Sequence, residues 1–173
     1  MKNKIPLVFV LGLVIINLLS NSCKKDADSN IPHLLTAGTW ELATVSVSNY
    51  IGDAQIDTAV TLYVGCDSTQ TFTFHADNTC TFVNFACLAQ KTTGTWSLTP
   101  NRVYLTSDMT CKDTTGNVGS AIKQIQPFTN AQISTLGVYS LVLQTGDVQP
   151  NYSSTSRRRI VRYGFIKQKA TTE

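Results

Sequence analysis

The stretch TFTFHADNTCTF, Thr71–Phe82, decides the fold. Phe72 and Phe74 alternate with threonines, Ala76-Asp77-Asn78 supplies a turn, and Cys80 and Phe82 resume the alternation. A period of two places every second side chain on one face of a strand, so the pattern predicts a β-hairpin with a single apolar surface. Asn78 stands where the turn wants a left-handed residue, a conformation that Asn tolerates better than most. If His75 pairs with Thr79, Phe74 faces Cys80 and Phe72 faces Phe82, and three aromatic rings share the buried side. Continued outward, the same register sets Asp67 opposite Cys87 and Cys66 beside it. A Cys66–Cys87 disulfide is the expectation.

The rest of the chain from Thr39 repeats this character: short runs rich in Thr, Val, Tyr and Phe, separated by Asn, Asp, Gly and Pro. Such composition favours strands over helices. The runs Thr39–Val47, Gln70–His75, Thr79–Phe85, Thr92–Leu98, Arg102–Thr106, Ala121–Gln126, Tyr139–Gln144 and Ile160–Gln168 are the candidate strands, with Ala131–Leu136 a ninth segment of undecided place. About eight short strands in one domain predict an all-β barrel or sandwich. GTWEL (38–42) and GTWSL (94–98) each set Gly before a strand and Trp just inside it, a position from which a Trp can plug a barrel end. Leu98-Thr99-Pro100-Asn101-Arg102 reads as a hairpin turn.

Ahead of this body lies a different kind of sequence. Lys2 and Lys4 precede an apolar run, Ile5–Leu19, which is followed by Ser20, Asn21, Ser22 and Cys23. A basic start, an apolar stretch too short to span a bilayer comfortably and small residues before a cut point predict an exported chain with residues 1–22 removed as a signal peptide. Cys23 resembles the acylated cysteine of the bacterial lipobox, and the resemblance implies a new N-terminus carrying fatty-acyl chains such as palmitate. Lys24, Lys25, Asp26 and Asp28 resemble the signal that sends lipoproteins of Bacteroidetes to the outer face of the outer membrane, which implies surface display; a solvated tether within residues 23–33 is the alternative.

Of the 173 residues, removal of the first 22 leaves 151, enough for one domain with a real core. Two of the 14 basic residues leave with the signal, so 12 remain against 11 acidic ones, and near-neutral charge gives no reason to expect nucleic acid. An oxidising compartment favours disulfides, while the absence of a CxxC pair and the wide separation of His33 and His75 argue against a metal site. Cys80 and Cys111 are left over from the predicted bridge: joining them needs a bend in the strands, and Cys80 as a buried free thiol is the alternative. No GxSxG, phosphate-cradling glycine loop or HExxH occurs, Glu41 and Glu173 are the only glutamates, and His75 beside a tight turn reads as a surface residue. A non-enzymatic protein without cofactor is the expectation.

LLTAGTWEL, a cysteine before the TFTFHADNTCTF hairpin and another after it, and GTWSLTPNRVYL together resemble the lipocalin-like lipoproteins of Bacteroidetes. The resemblance implies an antiparallel up-and-down barrel of about eight strands over residues 34–173, held at the outer membrane of the cell envelope by its lipid. It also implies that an arginine of the last strand packs over the Trp of a Gly-x-Trp motif. Gly38 and Trp40 supply the motif, and Arg157, Arg158, Arg159 and Arg162 are the candidates for the arginine. Asn78 departs from the glycine usual in the family, and the long Thr106–Asn130 segment leaves strand order beyond Thr106 open.

The function expected of a monomeric barrel of this kind is binding of a small apolar or amphipathic ligand. Trp40, Phe72, Phe74, Phe82 and Trp96 are the candidate lining, since inward aromatics serve equally to wall a cavity or to fill a core. The alternative is a surface module that meets a protein or glycan through its loops and the basic run Ser156–Arg162 over a solid interior. That run can equally be a strand edge kept soluble by charge.

Overall fold

The computed structural model describes residues 25–63, 66–114 and 121–168. Cys23 and the segment before it lie outside these residues. Helix α1 (Lys25–Thr36) leads into β1 (Thr39–Ile51), β2 (Ala54–Gln55), β3 (Val60–Leu62), β4 (Thr71–Phe74), β5 (Thr79–Val83), a 3-10 turn (Phe85–Cys87) and β6 (Lys91–Leu98). Then follow β7 (Tyr104–Ser107), β8 (Cys111–Asp113), β9 (Lys123–Ile125), β10 (Ala131–Leu136), β11 (Ser140–Gly146) and β12 (Arg157–Lys167).

Eight strands close on themselves in the order β1-β4-β5-β6-β7-β10-β11-β12, with β12 returning to β1. All pairings are antiparallel and each barrel strand neighbours the next barrel strand in the chain, the up-and-down order expected. The central hairpin has the predicted register: Phe74 opposes Cys80 and Phe72 opposes Phe82, with Asn78 left-handed at φ 64°. Carried outward, that register brings Cys66 and Cys87 to a Cα separation of 5.2 Å, and they are joined by a disulfide.

Beyond Thr106 the structure resolves what the sequence left open. Ala131–Leu136 is the barrel strand β10, while Ala121–Gln126, expected as a strand of the main body, contributes only β9 to a separate two-stranded ribbon with β8. The segment that follows β7 crosses the inner face of β6. A Cβ at Gly94 would stand 2.9 Å from the Met109 backbone, so only glycine permits this crossing. Asp108 fastens it, its Oδ1 accepting the Thr95 N–H at 2.6 Å and its Oδ2 accepting the Thr95 hydroxyl at 2.9 Å. Strand ends also differ from expectation: β1 runs four residues past Val47, and β5 stops at Val83 because Asn84 and Ala86 are left-handed.

Residues 25–33, expected within a tether, are helical. The helix ends where the barrel begins, and Leu35 is fully buried beneath Trp40, whose indole N–H donates to the Leu35 carbonyl at 2.9 Å. None of the four candidate arginines covers Trp40. Lys167 does, its ammonium 4.9 Å from the ring centroid, because β12 pairs Lys167 directly with Trp40 and sets the arginines farther along the strand.

A cavity at the open mouth of the barrel

The inward side chains of the central hairpin meet those of the β9–β10 connection and β12 in one aromatic stack. The Phe72 ring lies 4.1 Å from Phe74, 5.1 Å from Phe82 and 5.0 Å from Phe128, centroid to centroid, and Phe128 meets Tyr163 at 5.1 Å. Phe85 and Phe165 complete it. Phe72, Phe82, Phe85 and Phe128 are wholly buried. Rings at these separations leave no space for a ligand between them. Trp40, Phe72, Phe74 and Phe82 thus stand in a filled interior, and Trp96, its indole N–H donating to the His75 carbonyl at 3.0 Å, borders only a shallow depression with Ser107 and Thr129.

Space opens beyond Tyr163, toward the end opposite α1. Here β1, β11 and β12 outrun the other barrel strands, β3 lies against β1, and the β8–β9 ribbon closes the side. They enclose a cavity of 480 Å³. Its apolar wall includes Leu62, Ile125 and Val161; its polar groups include Tyr63, Asp113, Thr145, Arg159 and Tyr163, with Gln126, Thr129 and Asn130 along the β9–β10 side. Along β12, Val161, Tyr163 and Phe165 face inward, and Arg159 has the same parity, which turns one residue of the basic run toward the cavity.

The polar groups are interlocked. The Tyr63 hydroxyl donates to Asp113 Oδ1 at 3.0 Å, and Asp113 is itself buried. Burial, reinforced by the Asp113 charge, holds the Tyr63 phenol far above its ordinary range; burial does the same for Tyr163, while Arg159 acts weakly in the opposite direction on both. Both phenols therefore remain protonated at physiological pH and can donate hydrogen bonds. The cavity presents one guanidinium, one carboxylate, two side-chain amides and several hydroxyls beside an aliphatic wall.

The basic run does not form one patch. Arg158 is tied down, its guanidinium 3.6 Å from the Tyr152 ring centroid and donating to the Gly52 and Asp147 carbonyls at 3.1 Å each, with Asp53 at 3.8 Å. Arg162 lies on the outer face while Arg159 turns inward, so strand alternation divides the charges. Cys80 and Cys111 are free and fully buried, and burial raises both thiols above their ordinary range. His75 is exposed at its turn. Among the described residues no group of three or more His, Cys, Asp or Glu is placed to hold a metal ion, and no helix is long and apolar enough to cross a membrane.

Of the cavity's polar residues, Arg159 belonged to the basic run and Tyr163 to a candidate strand, but no sequence reading brought them to a common site. Tyr63 and Asp113 meet across 50 positions, and no local pattern marks them. The alternation of Arg159, Val161, Tyr163 and Phe165 was the one available signal.

Architecture and cavity together define an eight-stranded antiparallel barrel with one end shut by a helix and the other open on a mixed polar and apolar chamber. The family model described as "Lipocalin-like domain" matches residues 36–141, and the chain belongs to that family. No curated protein matches the sequence.

Proposed function

We propose that the protein is a lipid-anchored binding protein of the cell envelope that takes a small amphipathic ligand in the mouth of its barrel and performs no chemistry on it. The observation that carries this reading is the 480 Å³ cavity, which falls within the about 300–1,000 Å³ typical of small-molecule sites and joins an aliphatic wall to a few converging polar groups. The ligand's apolar part would lie against Leu62, Ile125 and Val161, and its polar part would meet Arg159 and the Tyr63–Asp113 pair. The five aromatics first considered as lining would act instead as the floor and core beneath it.

The anchor half of the proposal rests on sequence: the apolar run Ile5–Leu19, the small residues after it and Cys23. Acylation at Cys23 would hold the chain at the outer membrane, since several acyl chains on one cysteine bind a bilayer stably at about 0.8 kcal/mol per buried methylene. Cys23→Ser is expected to move the protein from the membrane fraction to the soluble one, and retention in the membrane would remove this half.

The binding half is tested with the amphiphilic dye anilinonaphthalene sulfonate. A single saturable site is expected in the native protein, abolished by Thr129→Trp, which fills the cavity from an exposed wall position, and weakened by Arg159→Gln. Equal dye binding by all three proteins would place the site elsewhere.

A further inference from the structure

Helix α1 packs against both β4 and β10. In the closed circuit these strands stand four places apart, on opposite walls, so the 12-residue helix, about 18 Å long at 1.5 Å per residue, crosses the barrel end as a bar. Its direction follows from connectivity. The last turn feeds β1, whose Thr39 pairs with Thr73 of β4, so the C-terminal end of the helix is at the β4 wall and its N-terminal part runs toward the β10 wall.

At that wall β10 turns into β11 through Gly137, Val138 and Tyr139, and here the surface is unusually apolar. Val138 is 56% exposed and Tyr139 76% exposed. The neighbouring strand adds Ile166, 51% exposed and paired with Ser140. The turn is held firmly against β12: the Lys167 N–H donates to the Tyr139 carbonyl at 3.0 Å, and Gly137 N–H donates to the Ser140 carbonyl at 2.8 Å. Three large apolar side chains thus project from one rigid corner, where burial against a partner would cost little ordering entropy.

Cys23 precedes the first helical residue by two positions. Two residues span at most about 7 Å. An anchored Cys23 therefore holds this corner, and not the mouth, beside its acyl chains. We infer that Val138, Tyr139 and Ile166 seat in the headgroup layer of the anchoring membrane, so that the helix-closed end of the barrel faces the bilayer and the cavity opens away from it. A tyrosine flanked by aliphatic side chains suits that layer, its ring body apolar and its hydroxyl hydrated. The exposed apolar residues Ile51, Ile56, Val60 and Tyr152 beside the mouth and Ile122 near the ribbon stand at the barrel end opposite the helix, away from the wall where the helix begins. The inference rests on the lipid-anchor half of the proposed function, and the experiment separates the two.

Full-length protein bearing Tyr139→Trp or, at the mouth, Tyr152→Trp is reconstituted in phosphatidylethanolamine–phosphatidylglycerol vesicles with brominated acyl chains. The signal of Trp40 and Trp96, measured in the parent protein, is subtracted. Quenching at least twofold greater for the Tyr139→Trp protein than for the Tyr152→Trp protein is expected. Equal quenching of the two vesicle-bound proteins, or no quenching of either, overturns the inference, and greater quenching at position 152 does so by placing the mouth on the membrane. Cys23→Ser, assayed in parallel by flotation, reads the anchor on its own: undiminished flotation refutes the anchor even when the quenching pattern holds.

Discussion

Truncating Phe72 to alanine distinguishes a barrel filled by its own side chains from one that houses its ligand at the centre. Phe72 is wholly buried and its ring has four aromatic neighbours within 6.1 Å: Phe74, Phe82, Phe128 and Phe165. They arrive from three different parts of the chain, β4–β5, the β9–β10 connection and β12, each fixed by its own backbone pairing. Such a site collapses poorly around a void, which puts Phe72→Ala in the full range of about 3–5 kcal/mol for loss of a buried phenyl ring. For a domain of this size each kcal/mol shifts Tm by about 2–4 °C, so a fall of about 6–20 °C is expected. Urea unfolding followed by circular dichroism measures it, with a lower midpoint and an unchanged slope as the signature of a packing loss in an intact fold. Dye binding at the mouth should survive at a temperature where the variant is folded. A destabilisation below about 1 kcal/mol would refute the reasoning, because a ring that already faced a ligand-sized void would give up few contacts on removal.

Three further outcomes follow from named contacts. Replacing both Cys66 and Cys87 by serine opens a loop of 21 residues and is expected to lower stability by about 3 kcal/mol, read from the same urea midpoint; an unchanged midpoint would show that the bridge does not constrain the unfolded chain. Lys167→Met should cost about 0.5–1 kcal/mol through loss of the cation over Trp40, and Lys167→Arg should restore it, a recovery that a purely steric role would not produce. Hydrogen bonds from Thr95 hold the Asp108 carboxyl below its ordinary range, so Asp108 stabilises the fold fully above the unfolded-state value of about 3.9 and loses that contribution as pH falls through its lower folded value. Thermal melts of Asp108→Asn between pH 6 and the acid limit should therefore fall less steeply with acidification than those of the parent protein, and parallel curves would exclude this residue as a source of acid sensitivity.

Where pairing is local, the sequence was sufficient. In Thr71–Phe82 the alternation, the turn and a left-handed Asn78 act within twelve positions, so register, buried face and, by extension, the Cys66–Cys87 bridge could all be read from it. The same physics failed at Ala121–Gln126 and Ala131–Leu136, two short runs of similar β character. Only one could occupy the place between β7 and β11, and Gly94 decided the matter by letting the chain cross the barrel's inner face. Steric permission at a distant glycine has no local signature in the segment it redirects.

The sequence by itself determined the class of fold, the hairpin at its centre, one disulfide and the inward place of Trp40, Phe72, Phe74, Phe82 and Trp96, because alternation and turn chemistry act between near neighbours. Tertiary structure alone decided that those aromatics fill the barrel, that Lys167 and not an arginine covers Trp40, and that Tyr63, Asp113 and Arg159 meet at the mouth. Closure of the sheet sets these contacts: joining β12 to β1 brings residues more than a hundred positions apart into register, and the volume left between them depends on every strand at once.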